Sequence, residues 1–104
     1  MMKWPKQCFA PTLASFGATA YLKGDYRKAT LRILKSIEWL PQMNDSEVFM
    51  GVLGVSLSRL GKEIDAAPYL TIAREKLAKH TNADNSEFKN RLIREIENEL
   101  RKNT

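Results

Sequence analysis

Cysteine and histidine are almost missing: Cys8 and His80 are the only ones. A single thiol cannot close an intrachain disulfide, and one thiol with one imidazole cannot furnish a zinc cluster, so neither metal nor crosslink is expected to hold the fold. The same scarcity points to a reducing, cytoplasmic setting. Long apolar runs are missing too. No window approaches the roughly 18 continuous apolar residues of a membrane span. Lys3 and Lys6 ahead of Ala18-Thr19-Ala20 resemble a secretory leader, but Pro11, Thr12, Ser15, Gly17 and Thr19 interrupt its apolar centre, and the chain is read as soluble. No glycine-rich phosphate loop is present, and no nucleophile signature surrounds Cys8, which reads as a small buried hydrophobe. His80 is placed at the C-terminal end of a helix, where its charge would suit the dipole. No active site is legible, no cofactor is implied, and a non-enzymatic protein is expected.

What the chain does carry is an apolar content of 43% within 104 residues, enough for one small folded domain. Its net charge of +5 is unevenly placed. Among the first 45 residues seven cations face three anions, leaving the remainder nearly neutral. Lys28, Arg32 and Lys35 fall within about 60° of one another at ~100° per residue and form one basic stripe. Such a stripe suits an acidic partner or a phosphate backbone, although no aromatic stacking platform accompanies it, and a solvated helix face is the plainer reading.

Compared with itself at a shift of 37 residues, the chain superposes Phe16-Gly17 on Leu53-Gly54, Gly24 on Gly61, Ala29 on Ala66, Ile33 on Leu70, Ser36 on Ala73 and Leu40 on Leu77. Each half reads as two helices joined at a glycine. Leu13, Phe16, Gly17 and Ala20 face inward on the first helix, Gly24 stops it, and Asp25 caps a second that carries Ala29, Ile33, Ser36, Ile37 and Leu40 up to Pro41. Asn44 or Ser46 caps the third helix, with Glu47 as the partner of a capping box, and Val48, Met50, Leu53, Gly54 and Leu57 form its buried stripe. Gly61 ends it. The fourth helix buries Ala66, Leu70, Ala73 and Leu77, and Pro68 is expected in its first turn behind an Asp65 cap. After a polar stretch, Asp84, Asn85 or Ser86 starts a fifth helix to about Lys102 whose narrow apolar stripe is Phe88, Leu92, Ile96 and Leu100.

Phe16-Gly17, Gly24, Tyr26, Ala29, Ile33 and Pro41, followed by Leu53-Gly54, Gly61, Ala66, Leu70 and Ala73, resemble two units of the tetratricopeptide repeat. The resemblance implies an all-α fold of about five helices, with antiparallel hairpins stacked as a short right-handed superhelix. It assigns residues 1–9 to an N-terminal arm, 10–43 and 47–80 to the repeats, and 84–102 to a capping helix. The departures are Leu13 and Met50, Ala20 and Leu57, and Glu63, each where the family prefers an aromatic, together with the lack of a proline closing the second unit and a spacing of 37 in place of 34.

The resemblance also implies a concave groove on the first helix of each hairpin, carrying Ala14, Ala18, Tyr21, Leu22, Val48, Gly51, Val55, Ser58 and Arg59. With only Arg59 to grip a carboxylate, the groove suits an apolar partner helix or segment, Tyr21 being the expected anchor. The fifth helix or the N-terminal arm could equally cover it. The expected function is protein–protein interaction, as an adaptor or small chaperone similar in layout to bacterial type III secretion chaperones. The alternatives are a self-assembling homo-oligomer, joined through the exposed flank of a hairpin or through Phe88, Leu92, Ile96 and Leu100, and, less favoured, nucleic-acid association through the basic stripe.

Overall fold

Two left-handed glycines set the layout. In the computed structural model, which describes residue 5, residues 8–79 and residues 87–102, Gly24 and Gly61 have φ of 83° and 84°. Each is followed by an amide that reaches back across the turn: Asp25 N–H donates to the Ala20 carbonyl and Lys62 N–H to the Leu57 carbonyl, both at 2.9 Å. These bonds satisfy carbonyls that a helix end leaves orphaned. The next helix then starts identically in both halves, Ala29 N–H to Asp25 O and Ala66 N–H to Lys62 O at 3.0 Å. The 37-residue shift is thus realised bond by bond.

The elements are α1 (Ala10–Leu22), α2 (Tyr26–Trp39), a 3-10 turn (Pro41–Asp45), α3 (Glu47–Arg59), α4 (Glu63–Lys79) and α5 (Glu87–Lys102). The described residues are all-α, with five α-helices and no strand. Asp25 caps α2 by accepting from Lys28 N–H at 3.2 Å, and Ser46 caps α3 by accepting from Phe49 N–H. Ser46 is therefore the cap of α3, not Asn44. Glu47 lies in the first position of the helix, so no capping box forms and its carboxylate instead favours the positive N-terminal end. The expected caps of α5 and the placement of His80 lie outside the described residues.

Pro68 corrects a second expectation. Because α4 begins at Glu63, Pro68 sits inside the helix and withholds the donor that the Ile64 carbonyl would otherwise accept.

Helix α3 is the centre of the molecule. It packs against α1, α2, α4 and α5, and every residue from Met50 to Ser58 is buried, as a helix surrounded on all sides must be. The two hairpins close through residues that lack bulk. A Cβ on Gly17 would lie 2.8 Å from Ile33 Cγ1, and one on Gly54 would lie 2.9 Å from both Leu70 Cγ and Cδ2. Ala29, Ile33, Leu53, Ala66, Leu70, Ala73, Leu77, Leu92 and Ile96 form the inner core as expected.

Phe16 does not. Its register matches the fully buried Leu53, yet it is 56% exposed. The reason is its place in the stack: α3 has neighbours on both flanks, whereas among the described residues α1 packs mainly on α2 and α3, so the same register points outward. Cys8 is also exposed and is not the buried hydrophobe expected of it. At the α1 end a small second cluster forms from Ala10, Ala14 and Met43, flanked by Ile37, Trp39, Leu40 and Phe49.

Candidate functional site

The residues expected to line a groove on α1 and α3 are brought together only in part, and α5 occupies the α3 side. Gly51 is the seat. A Cβ there would meet Ile96 Cδ1 at 2.9 Å and Leu92 Cδ2 at 3.0 Å, so the missing side chain lets α5 settle against the α3 backbone. Val55 is fully buried, Ala14 belongs to the small second cluster, and Ala18 and Val48 are half-buried. Leu22 is exposed. Tyr21, the expected anchor, is buried edge-on against Tyr26, with ring centroids 5.9 Å apart at 61°.

The stripe expected to join two copies is used within the chain. Leu92 and Ile96 are fully buried, and Phe88 and Leu100 pack partly buried on the same core. This corrects the self-association expectation for these four residues. The α3 side of the expected groove is thus covered by the apolar stripe of α5.

A polar seam fixes the fit. Glu99 on α5 is 3% exposed; its Oε1 accepts from Ser58 Oγ at 2.8 Å, and its Oε2 lies 3.7 Å from Arg59 Nε and 3.5 Å from Lys102 Nζ. Arg59 also faces Glu95 at 3.6 Å, lies 5.0 Å from the Tyr26 ring centroid in a cation–π arrangement, and donates to the Tyr26 hydroxyl. Glu95, further contacted by Arg91 at 3.4 Å, has its carboxyl pushed above the ordinary glutamate range, first by burial and then by the charge of Glu99. A carboxylate as buried as Glu99 is tolerated only with such partners. Ser58 and Arg59 therefore serve to hold α5 on α3.

The basic stripe is also engaged. Lys28 lies 3.8 Å from Asp25 and Lys35 lies 3.3 Å from Glu38, while Arg32 donates to the Phe16 carbonyl at 3.2 Å, tying α2 to α1. Among the described residues no cluster of His, Cys, Asp or Glu suits a metal ion, and no helix is long and apolar enough to cross a membrane.

An open-sided groove of about 800 Å³ lies elsewhere, between α2 and α4. Leu31 and Leu34 form one wall, Ile64, Pro68, Tyr69 and Ile72 the other, and Met50 and Leu57 of α3 line it between them. Leu31 is 60% and Ile64 is 90% exposed, and Leu34 and Ile72 are exposed as well. Each end carries one cation and one anion: Lys62 with Asp65 at the start of α4, and Lys76 near its end with Asp45 of the 3-10 turn. Reading the core stripe alone misses this groove. The signal that finds it is the apolar set left over on α2 and α4 once that stripe is removed, at spacings of three (Leu31, Leu34) and four (Ile64, Pro68, Ile72).

Comparison with known protein families, with curated proteins and with solved structures gives no match for this chain.

Proposed function

We propose that this chain is a non-enzymatic protein-binding module, of the adaptor or small-chaperone kind, whose binding surface is the groove between α2 and α4. The observation that carries the reading is the row of exposed aliphatic side chains, Leu31, Leu34, Ile64 and Ile72, lining one groove on a chain this small. Contiguous apolar surface rimmed by polar residues marks a site of protein association. Its charges balance at each end, which suits an apolar protein segment better than a polyanion. The order of elements, hairpin on hairpin and then α5, fits a short tetratricopeptide-like stack with a right-handed turn. A cytoplasmic setting fits the lone, exposed Cys8.

A photo-crosslinking residue placed at Leu31 in the native host tests the reading, with the same residue at exposed Arg94 on α5 as the control. Protein adducts formed at position 31 and not at position 94 are expected. No adduct at position 31, or equal adducts at both, overturns the assignment.

A further inference from the structure

We infer that the α2/α4 groove is self-complementary and that its occupant is a second copy of this chain, docked antiparallel about a two-fold axis. The inference rests on the protein-binding reading and names the partner. An isologous interface requires one patch to carry both the projecting and the receiving parts, and both signs of charge at opposite positions. This patch does. Ile64, 90% exposed, projects at the end where α4 begins, while the far end of the same groove offers Met50 and Ile72 as an apolar floor and wall. Turning one copy end for end sets Ile64 of each over the Met50 and Ile72 end of the other.

The charges follow the same operation. Asp65 and Lys76 are eleven residues apart on α4, about 16 Å at 1.5 Å per residue, which sets the distance between the two ends. After the rotation Lys62 faces the partner copy's Asp45, and Asp65 faces its Lys76. None of these four side chains has an ion-pair partner among the described residues, whereas Lys28 and Lys35 of α2 are paired within the chain. The antiparallel pairing thus gives each copy opposite-charge contacts at both ends of its groove.

The test is sedimentation equilibrium of the purified full chain over about 1 μM to about 1 mM, the span in which weak and moderate dimers dissociate. A mass rising from 11.9 kDa toward twice that value is expected. Ile64→Asp adds an acid to the first turn of α4, where it is compatible with the helix, and should weaken the dimer about 100-fold or more, since two buried isoleucines are lost. Asp45→Lys and Lys62→Asp should each weaken it by about tenfold, and the double variant should recover it, because every reversed pair is again complementary. Mass constant at 11.9 kDa throughout, or a dimer indifferent to Ile64→Asp, overturns the inference. So does a double variant no better than the singles.

The two readings fail separately. A monomer that still forms crosslinks at Leu31 to a different protein overturns self-pairing and leaves the binding module standing. A monomer without crosslinks at Leu31 overturns both.

Discussion

Gly54→Ala sets two known effects of opposite sign against each other at one atom. Alanine is favoured over glycine in a helix interior by about 0.8–1.0 kcal/mol, so on propensity alone the variant gains. The added methyl, however, would lie 2.9 Å from Leu70 Cγ and Cδ2 and 3.1 Å from the Leu70 backbone nitrogen, short of the 3.4 Å where ordinary contact begins. Because one of those atoms is backbone, relief requires α4 to withdraw from α3, and overpacking of this kind costs about 1–3 kcal/mol. The net expectation is a loss of up to about 2 kcal/mol, out of a total of roughly 5–15 for a domain of this size. Urea unfolding followed by circular dichroism should show a lower midpoint with an unchanged slope. Two companions calibrate the result. At Gly51 the atoms within 3.0 Å are the side-chain tips of Leu92 and Ile96, which can rotate aside, so Gly51→Ala should stay within about 0.5 kcal/mol of the parent. At Gly61 nothing lies within 4 Å, yet φ is 84°, so Gly61→Ala should cost about 1–2 kcal/mol from backbone strain alone. A Gly54→Ala protein more stable than the parent by the full propensity gain of about 0.8–1.0 kcal/mol would refute the close approach of α3 and α4.

Phe16→Ser should change stability by no more than about 0.5 kcal/mol, whereas Leu53→Ala, at the matching register but fully buried, should cost about 2–5 kcal/mol; equal losses in thermal unfolding would contradict the outward placement of Phe16. The raised carboxyl of Glu95 gives stability a pH slope of definite sign. A folded-state pKa above the unfolded one means the native protein holds the extra proton, so the penalty of the ionised form is relieved as pH falls through the raised value toward the ordinary one and is complete above it. Glu95→Gln should therefore flatten the fall in stability as pH rises from the ordinary glutamate range into the range above it. A slope unchanged in denaturant titrations across that range would rule Glu95 out as its source.

Much of the fold is legible from short-range rules, because they act within a few residues. Gly24 and Gly61 stop helices for a local conformational reason, Asp25 and Ser46 cap for a local hydrogen-bonding reason, and the 37-residue shift copies both. The inner core follows from helical periodicity at Ala29, Ile33, Leu70 and Leu77. What could not be read depends on which helix lies beside which. Phe16 and Leu53 are alike in register and differ only in having a neighbour on the outer flank. Gly51 looks like room for a foreign helix until α5, more than thirty residues later, is placed on it. Leu31 and Ile64 fall outside the core stripes, and only the packing of α2 and α4 on α3 turns them into the two sides of one groove.

The seat of α5 also bears on how the chain is born. A ribosome delivers α3 well before α5, and at roughly 5–20 residues per second the stretch from Arg59 to Lys102 takes about 2–9 s to make. For that interval the backbone at Gly51 and the hydroxyl of Ser58 lack the cover that Leu92, Ile96 and Glu99 later provide. The most central helix of the folded protein is thus left partly uncovered until α5 has been made.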